Sequence, residues 1–196
     1  MQGYFNGRGL ITYALPVTAI RCNLNFNTGI TYSHTPALIN GKSNIANTYN
    51  LSAGTGLSSN ISEKIDFNIL YTTNYSIVNN TIQTQSNNNY FYHTASLKLN
   101  WIIWKGIVFN TNLSHTLYTG LTQSFNQNYL LWNTSLAYKF FKDRSLEVKA
   151  SVFDMLGQNT SISRSVTDTY IEDDRTNVLT RYYMITLTYN LRKFKA

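Results

Sequence analysis

Residues Thr176–Phe194 read TNVLTRYYMITLTYNLRKF, and their spacing decides the fold class. From Tyr183 the apolar residues fall on every second position: Tyr183, Ile185, Leu187, Tyr189 and Leu191. Met184, Thr186, Thr188 and Asn190 stand between them. Successive side chains of a strand point to opposite faces, so period two gives one greasy face and one mostly polar face. The stretch exceeds the roughly 5–6 residues of an ordinary globular strand. A long, alternating, aromatic-rich strand of this kind is what a membrane-spanning β-barrel uses for its wall.

Composition fits that reading. The chain has 196 residues, 43% hydrophobic, 14% aromatic and only 13% charged. Soluble domains carry about 25% charged residues; here Asn, Thr and Ser supply the polarity instead. Mean hydropathy is −0.24, and no window approaches the ~20 consecutive apolar residues of a membrane helix. A lipid-facing surface averaged with a wet interior gives such a mildly polar mean. The net charge of +7 comes from scattered bases without a nucleic-acid motif, so no nucleic-acid partner is expected. The single cysteine, Cys22, excludes an internal disulfide. The opening MQGYFNGRGL lacks the basic and apolar regions of a secretory signal. The reading therefore expects residues 1–196 to be the C-terminal portion of a longer barrel, with no plug domain and no signal peptide.

Upstream, the same alternation recurs. It is cleanest in Ile20, Cys22, Leu24, Phe26, Thr28, Ile30 and Tyr32, where Asn23, Asn25 and Asn27 take the opposite face. Three successive amides would need partners in a dry core but suit a watery lumen. Pro16 is expected to stop the first ladder. His34–Ala46 (HTPALINGKSNIA) reads as a loop, and Asp154–Thr176 as the longest irregular stretch. Nine strands of about 9–14 residues result, near the ~9–11 of a tilted transmembrane strand.

The connections alternate in length. Short ones fall near Pro16, Ser62, Lys105 and Lys142; longer ones near Asn40, Gln83, Gln123 and Thr167. Barrels of the bacterial outer membrane have short periplasmic turns and longer outside loops. Aromatic residues add two girdles. Trp101, Trp104, Phe140, Phe141 and Phe194 lie toward the short turns; Tyr32, Tyr75, Tyr90, Tyr118, Tyr129 and Tyr170 lie toward the long loops. The fold class expected is all-β: an antiparallel up-and-down transmembrane β-barrel segment of about 9–10 strands.

The segment Leu146–Phe194 carries a resemblance. Its Val152–Asn159 phrase (VFDMLGQN), the Ser161–Arg164 stretch, Arg181-Tyr182-Tyr183-Met184 and Leu187-Thr188-Tyr189-Asn190-Leu191 resemble the closing strands of large outer-membrane barrels related to TonB-dependent receptors. The specific match covers about the last quarter of the chain; the earlier strands match in style only. The resemblance implies a barrel of roughly 22 strands, an N-terminal plug and energy-coupled uptake of a bulky nutrient in a Gram-negative cell. It implies as partners the outer-membrane lipid, further barrel strands and plug, and the TonB energy-coupling system. Two other readings remain: a small self-contained structural or pore barrel, and a soluble β-sandwich adhesin.

No catalytic constellation, cofactor or metal set is read, so no enzyme is expected. His34, His93 and His115 are far apart without metal-ligand spacing. Ser114 and His115 are adjacent and point to opposite faces of a strand. An acidic cluster, Asp168, Glu172, Asp173 and Asp174 with Arg164 and Arg175, is expected in the long outside loop as candidate ligand or loop contacts. Lys139, Lys142, Arg144, Arg192, Lys193 and Lys195 gather at the short-turn end as membrane-rim anchors. Asn23, Asn25, Asn27, Asn68, Asn110, Asn112 and Asn133 are expected to line the lumen.

Overall fold

The structure is a computed structural model that describes residues 3–59, 61–82, 84, 87–120, 126–141, 144–159, 161–166 and 171–191. Its strands are β1 (Phe5–Val17), β2 (Cys22–Ile39), β3 (Lys42–Ser59), β4 (Ile65–Asn80), β5 (Asn88–Trp104), β6 (Ile107–Thr119), β7 (Gln127–Phe140), β8 (Leu146–Phe153), β9 (Ser161–Val166), β10 (Ile171–Thr176) and β11 (Tyr182–Tyr189). Nine of them form one antiparallel sheet in the order β1-β2-β3-β4-β5-β6-β7-β8-β11. The remaining two, β9 and β10, pair as a separate hairpin. The large sheet is up-and-down throughout, and β1 and β11 are not paired to each other. Among the described residues no second large sheet faces it, as a sandwich would need.

The ladders are staggered. Ile65 opens β4 opposite Trp101, yet β5 runs on to Trp104 before turning. Leu136 continues the same row through Phe109, yet β7 runs on to Phe140. Each successive short turn therefore sits about two residues further along the ladder, or about one residue per strand. A step of ~3.3 Å along the strand for every ~4.8 Å across it tilts the strands by roughly 35°, within the range that barrels require.

Several expected boundaries shift. Pro16 does not stop β1; it pairs with Asn23 inside the ladder. It can do so because it stands next to last in the ladder, which ends at Val17 opposite Cys22, so its missing amide donor interrupts no run of ladder hydrogen bonds. A 3-10 turn, Thr18–Ile20, and a left-handed Arg21 then lead into β2 at Cys22. His34–Ala46 is not a loop. The β2–β3 ladder continues through it, with Pro36 opposite Ile45, to a two-residue turn. Both turn residues have positive φ, Asn40 at 51° and Gly41 at 79°, the pair that a tight right-twisted hairpin demands. Pro36 is tolerated because β1 ends at Phe5, opposite His34, so β2 has no neighbour on that side there. The stretch expected to be irregular, Asp154–Thr176, contains the β9–β10 hairpin. The closing strand β11 is shorter than the quoted segment and ends at Tyr189.

The core is inverted relative to a soluble sheet. On one face lie the Asn rows together with buried Ser76, Val78, Val108, Thr116, Ala137 and Ser151. On the other lie Ile30, Leu51, Ile69, Leu136 and Leu187, and these large apolar groups are open: Ile69 is 45% exposed, Leu136 53% and Leu187 69%. Monomeric soluble proteins rarely expose a contiguous apolar surface beyond a few hundred Å². A sheet with open leucines on one face and, on the other, Asn rows exposed at Asn23, Asn25, Asn27 and Asn68 is built to meet an apolar solvent on one side and water on the other.

Candidate functional site: the inner wall of the barrel

The polar face forms a continuous wall. Asn23, Asn25, Asn27, Asn68, Asn110, Asn112 and Asn133 all lie on it, as expected from the alternation. Small residues set its depth. Gly54 stands opposite Asn27, and a β-carbon there would come 2.7 Å from the Asn27 amide oxygen. The amide lies over the bare glycine backbone.

Two concavities open on this wall. Toward the short turns, Asp66, Lys98, Asn110, Asn133 and Lys149 line one of about 520 Å³. Toward the long connections, two neighbouring cross-strand rows make another of about 670 Å³. One row is Arg8, Thr31, Asn50, Ser76 and Tyr90, and the other is Gly29, Ser52, Asn74, Tyr92 and Tyr118. Ser76 Oγ lies within hydrogen-bond reach of the Asn50 amide and, at 3.0 Å, of Asn74 Oδ1, and its one hydrogen serves one of them. Tyr90 stacks on Tyr118 with centroids 6.1 Å apart, and Tyr118 meets Tyr92 at 5.1 Å.

This corrects the aromatic girdles. Trp101, Trp104, Phe140 and Phe141 are exposed at the short-turn end as expected, and Tyr32 and Tyr75 share the outward face near the other end. Tyr90, Tyr118 and Tyr129 instead face inward, because the register places them in rows with Ser76, Asn74 and Thr116. Tyr170 and Phe194 lie outside the described residues.

The outward face holds two polar clusters: Tyr32 and His34 both reach Asn47 Oδ1 at 2.9 Å, and a second cluster joins β4 to β7. Ala95 pairs with His115 and His93 with Leu117, so the two histidines are diagonal neighbours across β5 and β6. His93 Nε2 lies 3.2 Å from His115 Nδ1. His115 Nε2 reaches Asn128 Oδ1 at 2.8 Å, and the Tyr71 hydroxyl reaches His93 Nδ1 at 3.4 Å. The histidines are thus brought together, contrary to their distance in sequence. Among the described residues no set of three metal-ligating side chains forms.

At the long-connection end the VFDMLGQN phrase folds into a capped turn. Asp154 is buried, with φ 48°, and its carboxylate accepts from the backbone amides of Gln158 at 2.9 Å and Asn159 at 3.0 Å. Its own amide donates to Asn133 Oδ1 at 2.8 Å, and Gln158 Oε1 accepts from the Leu130 amide at 2.9 Å. The turn ties β8 back onto β7.

The charged cluster gains only a partial geometry. It falls on the β9–β10 hairpin, where the backbones of Asp173 and Arg164 are opposite and Arg175 is opposite Ile162. Glu172 and Asp174 are exposed. Asp168 lies outside the described residues. At the short-turn end Lys139 pairs with Glu147 at 3.7 Å on the inner face, and Arg144 is exposed in the turn; Lys142, Arg192, Lys193 and Lys195 lie outside the described residues.

Tilted antiparallel strands, an exposed apolar face and an opposite face of polar rows define the wall of a membrane-spanning β-barrel. The chain belongs to the outer membrane protein beta-barrel family, whose model matches residues 11–189. It is accordingly a protein of the outer membrane of a Gram-negative bacterium. No curated protein and no solved structure matches it.

Proposed function

We propose that this chain forms part of the barrel of a TonB-dependent-receptor-like transporter that takes up a nutrient across the outer membrane. The observation that carries the reading is the open arc of the nine-stranded sheet. About eight strands suffice to close a narrow barrel whose interior side chains fill. Here nine strands pair in sequence order and, among the described residues, β1 and β11 are not paired with each other. Unpaired sheet edges do not persist in lipid, because each unsatisfied backbone group costs several kcal/mol there. The arc therefore belongs to a wider barrel completed by further strands, with room for a plug. The resemblance of Leu146–Phe194 to the closing strands of such receptors supports the same reading. Its partners are then lipid, the remaining barrel strands and plug, and the inner-membrane coupling system. The role is transport, with no catalytic step.

Uptake in cells tests it. Deletion of the gene and deletion of the energy-coupling protein should abolish import of the same solute, and collapse of the inner-membrane proton gradient should do likewise. Import that persists without energy coupling, accompanied by steady conductance of the purified protein in planar bilayers, would establish a passive pore instead.

A further inference from the structure

We infer that the inner-wall groove between Arg8 and the Tyr90–Tyr92–Tyr118 cluster is a binding site for an acidic carbohydrate. The inference rests on the transporter reading and names the substrate class of its wall. The groove crosses six strands, β1 to β6, in two adjacent rows. At ~4.8 Å per strand the distance suits several linked sugar rings rather than one small ion.

Its chemistry is arranged by end. At the β5–β6 end three tyrosine rings cluster, and Thr94 Oγ1 donates to the Tyr92 hydroxyl at 2.7 Å. Rigid, amphipathic rings give large contact area at low entropic cost, and their faces suit the C–H-rich faces of pyranoses. In the middle, Ser76 Oγ lies within hydrogen-bond reach of the amide side chains of both Asn50 and Asn74. Its one hydrogen serves a single amide oxygen, so at least that amide keeps its NH₂ as a donor for hydroxyl or ring oxygens. The floor is kept low by Gly29 and Ser52, where a β-carbon on Gly29 would meet Ser52 Oγ at 3.0 Å. At the far end stands Arg8, exposed, with a guanidinium whose fork matches a carboxylate or sulfate. Among the described residues no carboxylate lines this groove. The lower concavity differs, combining Asp66 with Lys98 and Lys149 and presenting no tyrosine. One cation, neutral donors and an aromatic platform, with no acidic side chain, select a polyhydroxylated anion.

The test uses the full-length protein in detergent, titrated calorimetrically with three probes: a galacturonate trisaccharide, neutral maltotriose and a ferric catecholate. The acidic trisaccharide should bind, with maltotriose about tenfold weaker, the ratio worth ~1.4 kcal/mol. Arg8→Gln should erase that preference while retaining neutral binding. Tyr92→Ala and Tyr118→Ala should each weaken both sugars about tenfold, and Tyr118→Phe should retain binding, which separates ring loss from misfolding. Binding of neither sugar, tighter binding of the catecholate, or tyrosine variants that bind like the parent while folded would overturn the inference. Energised uptake of some other solute with no sugar binding sinks this proposal alone. Sugar binding without energised uptake sinks the transporter reading alone.

Discussion

His93 and His115 form a direct contact, Nε2 to Nδ1 at 3.2 Å, on the face of the sheet that meets lipid. One set of neutral tautomers satisfies the whole chain. His115 donates from Nε2 to Asn128, accepts at Nδ1 from His93 Nε2–H, and His93 Nδ1 accepts from the Tyr71 hydroxyl. Polar groups facing hydrocarbon must find partners within the protein. The chain does this across four strands, β4 to β7.

The two histidines should therefore be energetically coupled. His93→Leu removes the middle of the chain and leaves the Tyr71 hydroxyl and His115 Nδ1 unpaired, at a cost of about 1–3 kcal/mol. His115→Leu should cost a similar amount. The double variant should lose clearly less than the sum, because no orphan remains between them. Urea unfolding from lipid vesicles, followed by tryptophan fluorescence, measures the cycle. Strict additivity would show that the contact carries no coupling.

Asp154 should be the stability anchor of the VFDMLGQN turn. Its buried carboxylate accepts two backbone amides that have no other acceptor in the turn. Asp154→Ala leaves both donors unpaired in a covered site and should cost about 2–3 kcal/mol. Asp154→Asn keeps one acceptor oxygen and should cost less. The temperature at which the folded barrel loses its anomalous electrophoretic mobility reports the order. Equal midpoints for parent and Asp154→Ala would refute the anchoring role.

Much of this was legible in the sequence, and the residues show why. The faces of β2, β4, β6 and β7 follow from period two alone, which puts Asn27 and Asn133 inward and Phe26 and Leu136 outward. Register was not legible. His93 and His115 stand 22 residues apart, and only the β5–β6 pairing makes them neighbours. Tyr90 and Tyr118 lie inward on the parity of their own strands, Tyr90 with Tyr92 and Tyr118 with Asn110 and Asn112. The girdle expectation rests on their height near the long connections, and tyrosine suits an interface or a lumen equally. The β9–β10 hairpin was missed because SISRSV and IEDDRT lack an apolar face. Pro36 masked the continuing ladder around Asn40–Gly41, since its permitted place beside a missing neighbour is a tertiary fact.

The two faces should respond oppositely to the same charge. Leu97 faces outward in a row with Ile69 and Leu113, and Ser96 faces inward beside Ser114. Leu97→Arg places a guanidinium at mid-wall against lipid and should destabilise by about 2–4 kcal/mol. Ser96→Arg points into the watery lumen and should change stability little. Folding yield into vesicles distinguishes them, and equal losses for both would contradict the assignment of faces.

The short turn at Gly106 should tolerate no side chain, because two separate constraints coincide there. Its φ is 101°, a conformation that L-residues avoid. A β-carbon would also lie 2.7 Å from the Lys139 carbonyl oxygen, the backbone of the neighbouring strand. That strand cannot retreat without breaking its ladder, since the Lys139 amide donates to the Gly106 carbonyl at 2.8 Å. Gly106→Ala should thus cost more than 1 kcal/mol, above the roughly 1 kcal/mol by which Gly→Ala ordinarily stabilises at a compatible site, with the opposite sign. At Gly54 the β-carbon would meet only the end of the Asn27 side chain, which can swing away. Gly54→Ala should therefore be the milder change, with the barrel folded and only the lumen wall altered. Parallel thermal midpoints of the two variants decide it: a larger loss at Gly54 than at Gly106 would mean that the inner wall, and not the turn, is the constrained element.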